Sequence, residues 1–89
     1  HSSVDENDTE GKTVCAAVSS AVYLTANSLT DVFGRKCRIS VNDARFELHL
    51  VESDEVASKI IEGLYIHIKQ LKEQYPERIR INTEVQIKC

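Results

Sequence analysis

The stretch Cys37-Arg38-Ile39-Ser40-Val41-Asn42-Asp43-Ala44-Arg45-Phe46-Glu47-Leu48-His49-Leu50 decides the fold. Cys37, Ile39 and Val41 alternate with Arg38 and Ser40, Asn42-Asp43 supplies turn chemistry, and Phe46, Leu48 and Leu50 alternate with Glu47 and His49. Period-two alternation on both sides of a short polar break predicts a β-hairpin with one apolar face. Such a face needs a cover, and helical periodicity flanks the hairpin on both sides.

Upstream, Val14, Val18, Val22, Leu29 and Val32/Phe33, filled in by Ala17 and Ala21, recur at helical spacing until Gly34 supplies a stop. Downstream, Ser53-Asp54-Glu55 offers cap residues and first-turn acids for a second helix. Its stripe of Val56, Ile60, Leu64, Ile68, Leu71 and Tyr75 ends at Pro76. Residues 78–87 then set Ile79, Ile81, Val85 and Ile87 against Arg80, Glu84 and Gln86, which predicts one half-buried strand. The order α-β-β-α-β implies an α+β two-layer sandwich, with two long helices on one face of a small, mostly antiparallel sheet, in one domain over residues 1–89. Three strands leave part of the helices uncovered, so N-terminal strands before His1, or a second copy of the chain, are expected to complete the structure.

The chain has 89 residues and a net charge of -3, which disfavours a surface that tracks nucleic-acid phosphates. No apolar run approaches the roughly 20 residues of a membrane span. Cys15, Cys37 and Cys89 stand far apart without C-x-x-C spacing, so neither a disulfide framework nor a zinc site is expected, and a reducing cytosol is the natural setting. There is no methionine and the chain opens on His1, so residues are expected to precede it.

Cys15 lies where a polar stretch turns into an apolar-periodic helix. A thiol at a helix start is favoured as thiolate by the unpaired N–H groups there. The same residue also reads as a small apolar side chain packed among Ala16, Ala17 and Val18. Ser19 follows one turn later on the same side, where its hydroxyl stands beside the thiol or back-bonds to the helix. Residues 2–11 hold Asp5, Glu6, Asp8 and Glu10 with Asn7, Thr9 and Gly11, the composition of a solvated, mobile loop without the spacing of a calcium loop. His49 and His67 lack a metal partner at useful spacing and read as structural or exposed, Cys37 as a core residue and Cys89 as incidental.

Gly11-Lys12-Thr13-Val14-Cys15-Ala16-Ala17-Val18-Ser19, the histidine-led segment before it, and the distal Glu62-Gly63-Leu64, Lys69-Gln70-Leu71 and Gln74-Tyr75-Pro76 together resemble the bacterial ribosomal-processing cysteine proteases, the Prp family. The resemblance implies an α+β homodimer, working in the cytoplasm without a cofactor, that removes a short N-terminal extension from large-subunit ribosomal protein twenty-seven. It implies a catalytic pair of Cys15 and His1, with Ser19 one turn beyond the cysteine. In that chemistry His1 activates the thiol, and backbone N–H groups near Cys15 and Ala16 are the expected oxyanion donors. The loop of Asp5, Glu6, Asp8, Glu10 and Gly11 is then expected to gate the site and to suit a basic ribosomal-protein tail. One departure stands out: where the family commonly has an aspartate three residues before the cysteine, this chain has Lys12, leaving Asp8 or Glu10 as substitutes for orienting the histidine. The competing class is a non-catalytic ribosome-assembly adaptor or dimerisation domain with an inert Cys15.

Overall fold

The computed structural model describes residues 8–42, 45–52, 54–81 and 85–87. A first helix, α1 (Thr9–Asn27), runs into a π-helical turn at Ser28–Val32. The hairpin strands β1 (Cys37–Asn42) and β2 (Arg45–Leu50), a second helix α2 (Glu55–Gln74), and two short strands, β3 (Ile79–Ile81) and β4 (Val85–Ile87), follow. The sheet order is β1-β2-β4-β3.

The hairpin has the register its alternation requires. Cys37 pairs with Leu50, Ile39 with Leu48 and Val41 with Phe46, so the apolar residues of both strands share one face. Phe46 is buried against Val14, Val18 and Val22 of α1, Ile68 of α2 and Ile79 of β3, with Ile39, Val41, Leu48, Leu64, Leu71 and Ile81 packed around them. Val18, Leu29 and Ile68 are fully buried, and each side chain of this kind contributes about 1.5–3 kcal/mol on leaving water. Both helices thus lie on one face of the sheet, and the α+β sandwich holds.

One expectation is corrected. Residues 78–87 are two strands, because Ile79 pairs with Ile87, Arg80 with Gln86 and Ile81 with Val85 in an antiparallel ladder. Ile81 and Val85 are four apart in sequence, so the apolar alternation keeps the same parity from one to the other and reads as one strand. β4 then pairs with β2 through Arg45–Gln86 and Phe46–Val85, which gives four strands among the described residues instead of three.

The end of the first helix shows why the ladder widens. The Thr25, Ser28 and Thr30 hydroxyls donate to the carbonyls of Ala21, Leu24 and Ala26, at 2.8, 2.8 and 3.0 Å. Back-bonding of this kind loosens the i→i−4 ladder. Phe33 N–H correspondingly reaches Ser28 O at 3.0 Å, five residues back. Gly34 at φ 66° then turns the chain out of the helix, in the left-handed region that glycine enters without steric cost.

Candidate functional site

α1 starts earlier than its apolar pattern. Asp8 is the N-cap, its carboxylate accepting from Gly11 N–H at 2.9 Å, and the helical residues begin at Thr9. The stretch of Thr9 to Thr13 is polar apart from Gly11, so the apolar pattern gives no sign that it is helical. Two site expectations change in consequence. Glu10 and Gly11 belong to the first turn of α1 and Asp8 caps it, so these three are not part of a loop. Cys15 is the seventh residue of the helix, not the first or second. Regular i→i−4 bonding points the N–H groups of Cys15 and Ala16 at the carbonyls of Gly11 and Lys12. They are therefore not oxyanion donors, and the dipole's pull, confined to the first turn, reaches Cys15 weakly.

Cys15 is 3% exposed and Ser19 9%, both on the buried side of α1, while Ala16 and Lys12 face solvent. The sulfur of Cys15 is disulfide-bonded. This corrects the expectation of no disulfide. Sequence spacing rules out a metal knuckle but not a disulfide, which requires only that two Cα atoms come within about 4.4–6.8 Å. Cys37 is a free thiol, half-buried on β1, and burial pushes its pKa up. His1, Asp5, Glu6 and Cys89 lie outside the described residues.

Arg78, immediately before β3, is the residue that sequence reasoning missed. Its guanidinium donates to both carboxylate oxygens of Asp8, at 2.6 and 2.8 Å, and to Glu10 at 3.2 Å. The Asp8 pKa falls below its ordinary value, first because of Arg78 and second because of the Gly11 N–H. Arg78 is held the more firmly as a cation by the same carboxylates. Both acids named as substitutes for the histidine-orienting aspartate are thus engaged with Arg78. No local signal marks this contact, since its partners are 70 residues apart.

A separate groove of about 710 Å³ runs between α1 and α2, lined by residues that include Ala17, Ala21, Leu24, Ile60, Leu64 and His67. At about 100° per residue, Leu24 stands roughly 180° around α1 from Cys15. The groove therefore does not open on the cysteine. Among the described residues no group of histidine, cysteine and carboxylate side chains is arranged to hold a metal, and no helix is long and apolar enough to cross a membrane.

The arrangement has a buried cysteine and a buried serine one turn apart on a helix that starts close after a histidine-led segment. The model of the family described as cysteine protease Prp matches residues 1–80. The chain belongs to that family. The match spans both His1 and Cys15 and nearly the whole α+β domain. No curated protein and no solved structure shows a significant match to the chain.

Proposed function

We propose that this chain is a cysteine endopeptidase that removes the N-terminal extension of large-subunit ribosomal protein twenty-seven in the bacterial cytoplasm. The observation that carries the reading is the family match across residues 1–80, a range that spans the candidate nucleophile and the candidate base. Once reduced, Cys15 gives its thiol proton to His1 and its sulfur attacks the scissile carbonyl; the C–N bond breaks, the amine leaves with the proton held by His1, and water hydrolyses the thioester to free Cys15. Because Cys15 sits in the second turn of α1, helix polarity supplies little of its activation, and His1 carries the larger part. Ser19 supports the thiol from one turn beyond. Asp8 and Glu10 are engaged by Arg78, so neither is free to orient the histidine.

The exposed Leu24, Tyr65 and Ile66 on the two helices support a homodimer that covers them. Sedimentation giving a stable monomer at working concentration overturns that part of the reading.

A second reading is favoured by one observation. Cys15 is buried and disulfide-bonded, the state expected of an inert structural cysteine in a non-catalytic assembly adaptor. The two readings separate on one assay, a peptide spanning the extension junction of the ribosomal protein, incubated with the protein before and after treatment with a thiol reductant. The protease reading expects cleavage only after reduction, and loss of cleavage in Cys15→Ala and His1→Ala. No cleavage by the reduced protein supports the adaptor.

A further inference from the structure

Arg78 does more than neutralise two acids. Its Nη1 lies 3.0 Å from the point that a Cβ on Gly11 would occupy, so the guanidinium covers Gly11 in place of a side chain. Gly11, Cys15 and Ser19 follow one another at intervals of four on one buried side of α1. The guanidinium therefore stands one helical turn before Cys15, on the same side of the helix. Its own anchor is firm, because the next residue, Ile79, is 1% exposed and belongs to the core.

We propose that Arg78 is a positioning residue for the nucleophile: it clamps the first turn of α1 to the start of β3 and thereby fixes the helix from which Cys15 meets the scissile carbonyl. The proposal rests on the assignment of Cys15 as nucleophile. Its physical basis is that the first turn of a helix has N–H groups without intrahelical partners and frays unless something holds it. Here the hold is a bidentate arginine fork on the capping carboxylate, the strongest geometry available to such a pair. Misplacement of a reacting group by about 1 Å costs on the order of 10²-fold in rate. The molecule also contains its own control. Arg35 also binds the carboxylate that caps a helix, Asp54 of α2, though through Nε alone, and α2 carries no candidate catalytic residue.

The test is steady-state cleavage of the junction peptide by the reduced full chain, together with thermal melting of each variant. Arg78→Gln is expected to lower kcat about tenfold or more with KM within about twofold. Arg78→Lys, which keeps the charge but not the fork, is expected to recover part of that loss. Arg35→Gln is expected to lower the melting temperature without changing kcat. The proposal is overturned if Arg78→Gln keeps kcat within twofold, or if Arg35→Gln lowers kcat as much as Arg78→Gln does. Should Arg78→Gln fail to fold, Arg78→Lys is read in its place for the same split between kcat and KM. Cys15→Ala separates the two levels. If it still cleaves, or if the reduced parent protein does not, the assignment of the nucleophile falls and the positioning role with it. An inactive Cys15→Ala beside an unimpaired Arg78→Gln removes the positioning role alone.

Discussion

α1 and α2 both start on an aspartate that accepts from the backbone N–H three residues on, Gly11 in one and Ala57 in the other, each at 2.9 Å. Each aspartate is also bound by an arginine from outside its helix, Arg78 for Asp8 and Arg35 for Asp54. The balance differs. Asp54 has its pKa held down chiefly by the Ala57 N–H, with Arg35 second, whereas for Asp8 the order reverses and Arg78 leads. Arg78 grips both oxygens of Asp8 and adds Glu10, while Arg35 reaches Asp54 through Nε alone and turns Nη1 to the Phe33 carbonyl at 2.7 Å. The start of α2 is thus a local structure that a tertiary contact reinforces. The start of α1 depends on a strand far along the chain, and α1 is the helix that carries Cys15.

The largest effect that sharpens this contrast is chemical. Cys15→Ala in α1 is expected to reduce cleavage of the junction peptide on the order of 10³-fold or more. His67→Ala in α2, a side chain that lines the opposite groove, is expected to leave the rate within about twofold. Equal losses from the two variants break the division of labour between the helices.

The two helices also contain a glycine each, and the same substitution is expected to act in opposite directions. A Cβ at Gly11 overlaps Asp8 Oδ2 and falls 3.0 Å from Arg78 Nη1, atoms that the cap and the clamp hold in place. Gly11→Ala is therefore expected to destabilise the protein by about 1–2 kcal/mol, the crowding outweighing alanine's helix preference. At Gly63 in α2 nothing lies within 4 Å, so Gly63→Ala is expected to stabilise by up to about 1 kcal/mol. Denaturant midpoints check both, and a stabilised Gly11→Ala shows that the clamp yields easily.

How much of this was legible follows from where each signal resides. The hairpin was readable because its period and its turn residues lie within one short stretch, and α2 because Asp54 and Pro76 bracket a continuous apolar stripe. The start of α1 was hidden because its first turn is mostly polar and its stabilising partner is remote. The split between β3 and β4 was hidden because Ile81 and Val85 keep the same parity. Of the candidate site, the sequence identified Cys15 and its neighbour Ser19 on one side of a helix, but not the depth of Cys15 within that helix, its disulfide, or Arg78.

The smallest effect concerns acid. A carboxylate whose pKa is lower in the folded than in the unfolded chain contributes stability above its unfolded value, near 3.9, and loses it as pH falls through the folded value. Asp8 and Asp54 both have lowered values, so both contributions are present at neutral pH and disappear in acid. Asp8→Asn and Asp54→Asn keep a cap oxygen and lose the charge. Each is expected to be less stable than the parent at pH 5–7, with the gap narrowing as pH falls below the unfolded carboxylate value. The gap is expected to be wider for Asp8, whose lowering comes first from the arginine. A wider gap for Asp54 inverts the ranking of the two clamps.

The sheet order has a consequence for how the molecule comes together in time. β1 and β2 are neighbours in sequence and can zip within microseconds of emerging. β4, the latest of the four strands along the chain, occupies an interior position between β2 and β3, with Phe46 opposite Val85. A nascent chain that has made both helices and three strands therefore still has a slot in the middle of its sheet. β4 pairs locally with its sequence neighbour β3, but its pairing with β2 is a long-range event, slow relative to the β1–β2 hairpin, and during that interval the open edge of β2 is exposed to pairing with other chains. Assembly is thus paced by the docking of β4 on β2, and the clamp of Arg78 on Asp8 engages only when the chain has been made through the turn that precedes β3.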